Sequence, residues 1–170
     1  MSSAKTWGTY MRRSEQDTRK TYASLRVTGD DLDPEQVTRI LRVVPTVAYA
    51  KGAIYQSGKG ERIAEKTGRT GLWLLSTDGL VASDNLQHHL FYILGVLVPG
   101  RQDVTPLAQL HSLLTQQKGL RADVSAFWHG RFGAKKPSIP RAVPEILKLL
   151  PADLETDFDT DSEDANRRRA

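Results

Sequence analysis

The amino-acid sequence predicts an α+β protein, with a mixed or antiparallel sheet of about five strands and about four helices. Segments of period-two alternation recur at 22–28 and 121–130, and acid-capped amphipathic stretches open at Asp33 and Asp84. The two kinds of segment interleave along the chain, with a hairpin across 47–77, which suits a ferredoxin-like arrangement. A length of 170 residues suits one domain with a buried core.

Residues 1–20, MSSAKTWGTYMRRSEQDTRK, are polar, with Trp7, Tyr10 and Met11 as their large apolar groups, and read as a mobile basic extension. The domain itself spans 21–160. From Tyr22 the chain alternates, with Ala23, Leu25 and Val27 on one side and Tyr22, Ser24, Arg26 and Thr28 on the other. The acidic stretch GDDLD at 29–33 then raises the choice between a metal site and a helix start. Asp33 is followed by Pro34 and, two residues later, Gln36, which is the pattern of a capped helix over 34–43 with Val37, Ile40, Leu41 and Val44 as its apolar stripe. A calcium loop needs ligands at alternate positions over twelve residues, and this stretch turns helical too early. Asp30 and Asp31 suit a turn beside a helix N-terminus.

PTVAYAKGAIYQ reads as one extended segment and SGKGERIAEKTGRTG as a glycine-rich charged loop. GLWLLST, with Leu72, Trp73, Leu74 and Leu75 in succession, reads as a central strand covered on both faces. Asp84 with Gln87 caps a second helix whose stripe is Leu86, Leu90, Ile93, Leu94 and Leu97. A third helix over 106–116 aligns Leu107, Leu110, His111 and Leu114. RADVSAFWHG alternates again, turning Ala122, Val124, Ala126 and Trp128 to one face. A last helix covers 138–150, and LETDFD turns Leu154 and Phe158 inward and Glu155, Asp157 and Asp159 outward. Residues 161–170 read as a disordered tail.

Composition narrows the chemistry. With no cysteine, disulfides, thiolate zinc sites and cysteine nucleophiles are excluded. The first twenty residues lack a signal-peptide apolar block, and LFYILGVLV is about half the ~20 residues that span a bilayer, so the expectation is a cytoplasmic protein without a membrane. Net charge is +3 over 1–20, −4 over 151–170 and +5 between them, a modest basic excess.

The motifs fail as catalytic signatures. Gly60, Lys66 and Thr67 have phosphate-loop spacing, but Glu65 stands where that loop needs glycine. Asp123, Ser125 and His129 share a strand face, yet Ser125 and His129 are separated by about 13 Å of strand, too far for a proton relay. His88 and His89 are neighbours that diverge by about 100° on a helix and do not pinch a metal. His89 falls on the border of its stripe.

The residues SLRVTGDDLDPEQVTRIL, Pro45 and Thr46, Lys51 and Gly52, GLWLLST and the LQHHL helix together resemble an uncharacterised bacterial family, domain of unknown function 4279, from about Tyr22 to Phe158. The resemblance implies a small, soluble, bacterial α+β protein and brings no established activity or catalytic residues. The basic N-terminal extension and the acidic tail depart from the family pattern.

The functional expectation is a non-catalytic binding or regulatory module acting through protein–protein contact, with no catalytic residue, metal or cofactor. Its binding face carries Tyr22, Arg26, Arg121, Phe127 and His129, and its partner is another protein or a second copy. The alternatives are a nucleic-acid binder, using the basic middle with Trp73, Phe127, Trp128 and Phe132, and an enzyme whose site joins His111 or His129 to Asp30 or Asp31.

Overall fold

The computed structural model describes residues 18–58 and 63–163. Strand β1 (Thr18–Gly29) is followed by α1 (Pro34–Leu41), β2 (Val47–Tyr49), β3 (Ile54–Ser57), β4 (Ala64–Thr67) and β5 (Gly71–Ser76). Then come α2 (Leu86–Leu97), α3 (Thr105–Gln116), β6 (Arg121–Gly130), α4 (Ala142–Leu149) and β7 (Asp153–Thr160). One sheet has the order β2-β5-β1-β6-β7, and β3 and β4 form a separate two-stranded ribbon. Neighbours are antiparallel except β6 and β7, which run parallel because α4 carries the chain back between them. The protein is therefore α+β with a mixed sheet. The parallel strand β7 and the inserted ribbon both lie outside a ferredoxin-like plan.

The helices cover one sheet face. Ala23, Leu25 and Val27 of β1, Trp73 and Leu75 of β5, and Val124, Ala126 and Trp128 of β6 pack against Leu90, Ile93 and Leu97 of α2, Leu110 of α3 and Leu147 of α4. Each large aliphatic side chain fully buried there contributes about 1.5–3 kcal/mol relative to exposure. Helix α1 is tied to the sheet by the Trp73 indole, which donates to the Thr38 hydroxyl at 3.0 Å. At the far end of β1 the backbones approach closely. A Cβ on Gly29 would lie 2.3 Å from a Leu120 methyl, and one on Gly71 would lie 2.7 Å from the Gly29 carbonyl oxygen. No helix among the described residues is long and apolar enough to cross a membrane.

Several local expectations change. Thr18–Lys20 belongs to β1 rather than to a mobile extension, with Thr18 paired to Gly130 and Lys20 to His129. Residues 1–17 and 164–170, the bulk of the expected extension and tail, lie outside the described residues. PTVAYAKGAIYQ is two strands in two sheets: β2 pairs with β5, whereas β3 pairs with β4 inside the segment expected to be a loop. Helix α1 stops at Leu41 because Arg42 turns left-handed, with φ 54°, which leaves Val44 82% exposed instead of on the stripe. The cap of α2 is Asn85, whose side chain accepts from the Gln87 amide at 3.0 Å, rather than Asp84. Helix α4 begins at Ala142, four residues later than the spacing predicts.

Candidate functional site: the helix-free sheet face

Alternation that sends Ala23, Leu25 and Val27 to the core necessarily sends Tyr22, Ser24, Arg26 and Thr28 to the opposite face. The register continues each of these across to β6, opposing Tyr22 to Phe127, Ser24 to Ser125, Arg26 to Asp123 and Thr28 to Arg121. The five anticipated residues Tyr22, Arg26, Arg121, Phe127 and His129 therefore share this face, which no helix among the described residues covers.

Its contacts are specific. Tyr22 and Phe127 stack with ring centroids 4.7 Å apart and planes 14° apart. The hydroxyls of Ser24 and Ser125 are 2.7 Å apart. The Arg26 guanidinium donates through Nε to Asp123 Oδ2 at 2.9 Å, and its Nη2 lies 3.9 Å from Glu155 Oε2. That hydrogen bond is the main reason the guanidinium pKa is raised, against the opposing effect of burial. On the other side of β1, Leu72 and Leu74 of β5 are half-buried and line, with Tyr22, Ser24, Arg26 and Ser125, a groove of about 580 Å³. Tyr49, whose ring stacks on Tyr55 of the ribbon at 4.1 Å, also lines the groove. Burial is the main cause that raises the Tyr49 phenol pKa.

His129 is held at the opposite end of the face. Its Nε2 lies 2.9 Å from Asp161 Oδ1, while Arg19 donates to Asp161 Oδ2 at 2.8 Å. The bond from His129, then that from Arg19, pulls the Asp161 carboxyl below the usual aspartate range. Asp161, counted from sequence within the disordered tail, thus ties the end of β7 to β1 and β6.

The other candidates disperse. Asp33 Oδ1 accepts from the Glu35 amide at 3.0 Å and caps α1, and Asp30 is bonded by the Lys51 ammonium. Asp123, Ser125 and His129 have separate partners, so they form no relay. Lys66 and Thr67 lie in strand β4, with no helix following as a phosphate loop requires. His111 is exposed rather than on the stripe of α3, whose buried side is Pro106, Leu107, Leu110 and Leu113. Trp73 and Trp128 are core residues and offer no ring to a nucleic-acid base.

Sequence reasoning left His89 on a border, and the structure buries it to 1% exposure. Its Nδ1 lies 2.7 Å from the Thr77 hydroxyl and its Nε2 2.7 Å from the Ser83 carbonyl oxygen. The Thr77 hydroxyl also accepts from the Ala23 amide at 2.8 Å and lies 3.0 Å from the Ala23 carbonyl oxygen. This network contributes Ser83 and His89 to the lining of a second, polar concavity of about 620 Å³ beside Lys20 and Asp78, whose ion pair measures 2.9 Å. It clamps the loop after β5 to the middle of β1.

Within the helix-free face, Arg26 is bonded to Asp123, Ser24 to Ser125 and His129 to Asp161. A family model described as a domain of unknown function (DUF4279) matches residues 19–161. No curated protein and no solved structure matches the chain. The matched span takes in the whole sheet, its helix layer and the helix-free face, and the chain belongs to the DUF4279 family.

Proposed function

We propose that the protein is a non-catalytic binding or regulatory module of the bacterial cytoplasm, and that its helix-free sheet face docks another protein. The observation that carries this reading is the Tyr22–Phe127 stack, set beside Leu72, Leu74 and the Arg26–Asp123 pair on a rigid sheet. Stacked rings present apolar area that loses little entropy on binding, and an arginine held in place adds directed hydrogen bonds. The lack of cysteine accords with a reducing compartment.

The test uses the full chain as bait in native lysate, beside the double variant Arg26→Glu/Phe127→Ala. The wild type should retain a protein partner that the variant loses, with far-UV circular dichroism unchanged. If every partner still binds the folded double variant, the interface lies elsewhere. A nuclease-sensitive partner would favour nucleic acid instead.

A further inference from the structure

The helix-free face is amphipathic across its width. The register sets Val47, Leu74, Arg26, Asp123 and Asp153 in one row from β2 to β7, and Tyr22, Phe127 and Asp157 in another. On one flank, strands β2 and β5 hold no charged residue, and Val47, Tyr49, Leu72 and Leu74 give the face an apolar surface. On the other flank, Leu154 and Phe158 pack against the core, so Asp153, Glu155, Asp157 and Asp159 of β7 stand on the helix-free side, and all are exposed. Among the described residues, the one cation within 4 Å of these carboxylates is Arg26, 3.9 Å from Glu155, and it is already bonded to Asp123.

Unpaired carboxylates along β7 attract cations and repel phosphate, so the complement of this face is a basic surface rather than a nucleic-acid backbone. The width of the face sets the shape of that complement. Strands β5 and β7 are three strand spacings apart, or about 14 Å, and an α-helix with its side chains is about 10–12 Å across. A helix lying along β1 and β6 therefore reaches Leu72 and Leu74 with one flank and the carboxylates of β7 with the other. From Asp153 to Asp159 the strand runs about 20 Å, which about 13 helical residues match. The opposite sheet face already packs helices in this manner, with α2, α3 and α4 of the chain itself laid on it.

Resting on the proposed role of this face, we propose that what docks there is a basic amphipathic helix of a partner protein. Its apolar side lies on Tyr22, Phe127, Leu72 and Leu74, and its lysines or arginines stand over the carboxylates of β7.

An NMR titration of the full chain tests this, with a synthetic peptide of about 18 residues in which leucines form one side of a helix and lysines one flank. A counterpart peptide carries glutamate in place of every lysine. The lysine peptide should shift the backbone amides of Tyr22, Leu74 and Phe127 and leave that of Phe91 on α2 unmoved. Its Kd should lie below about 1 mM and rise about tenfold from low to high salt. The glutamate peptide should not bind. Asp157→Lys/Asp159→Lys, with its fold confirmed by circular dichroism, should reverse the preference and take the glutamate peptide, a gain that damage to the fold would not produce. No shift at millimolar lysine peptide, equal binding of the two peptides, shifts centred on Phe91, or an unreversed preference would each overturn the inference. So would movement of the same amides with a mixed-sequence oligonucleotide but not with the peptide, which would identify nucleic acid, or with the concentration of the chain alone, which would identify a second copy. If neither peptide binds yet Arg26→Glu/Phe127→Ala loses a protein captured from lysate, only the chemistry of the partner is wrong. If neither peptide binds and the captured protein also survives that double variant, the role of the face falls as well.

Discussion

Replacing Asp33 by alanine removes an acceptor from the first turn of α1. The carboxylate accepts from the Glu35 amide at 3.0 Å and also pairs with Arg39 at 3.3 Å, where both side chains are more than half exposed. Loss of an N-cap of this kind costs about 0.5–2 kcal/mol. The exposed ion pair adds about 0–1 kcal/mol. Helix α1 has eight residues, of which Val37 and Leu41 are buried, so it cannot fray from its first turn without disturbing the core. The expected total is about 1–2 kcal/mol, or roughly 2–4 °C of melting temperature per kcal/mol for a domain of this size. Asp33→Asn keeps an acceptor oxygen while losing the charge, and should cost about 0.5 kcal/mol. Urea unfolding of the wild type and both variants, with the slope m unchanged, measures these differences. An alanine variant as stable as the wild type, or an asparagine variant as unstable as the alanine one, would refute the capping account. Calcium, magnesium and zinc should leave all three midpoints unchanged; a metal-induced rise abolished by Asp30→Ala would show that GDDLD binds an ion.

Gly29→Ala should cost about 1–3 kcal/mol through overpacking, because the new methyl meets Leu120 at 2.3 Å, and Leu120→Ala in the same chain should recover part of that loss in a double-mutant cycle. In the neutral His89 ring the proton belongs on Nε2, since the Ser83 carbonyl can only accept; nitrogen NMR should show that tautomer, and His89→Leu should cost about 1–3 kcal/mol. Because Asp161 titrates below the usual aspartate range when folded, its contribution is complete above that range and is lost as pH falls through the folded value. Asp161→Asn should therefore flatten the acid limb of stability against pH, and an unchanged limb would show that the contacts with His129 and Arg19 contribute nothing.

Strands β1 and β6 are legible in the sequence because each has one buried and one uncovered face, so Leu25 and Val124 alternate with Arg26 and Ser125. The same alternation made Tyr22 and Phe127 readable as neighbours on the face away from the helices. The ribbon was hidden. Strand β4, AEKT, is exposed at every position, and backbone pairing with β3 forms it without any apolar pattern. Strand β5 misled in the opposite direction: Leu72 and Leu74 look like residues beneath a second layer, yet they line the groove on the uncovered face. His111 and His89 exchanged roles because a stripe drawn from few leucines fixes a helix face only to about 100°, one residue step. Burial of His89 depended on Thr77 and Ser83, partners whose proximity follows from the loop after β5 rather than from helical spacing.

The central claim is that association uses the helix-free face. Site-specific photo-crosslinking in cells tests it directly, with p-azidophenylalanine placed at Phe127, on that face, or at Phe91, which is 46% exposed on α2. Phe127 should yield a crosslinked adduct with a second polypeptide, and Phe91 should yield none. An adduct at Phe91 with none at Phe127 would place the interface on the helical layer and contradict the account.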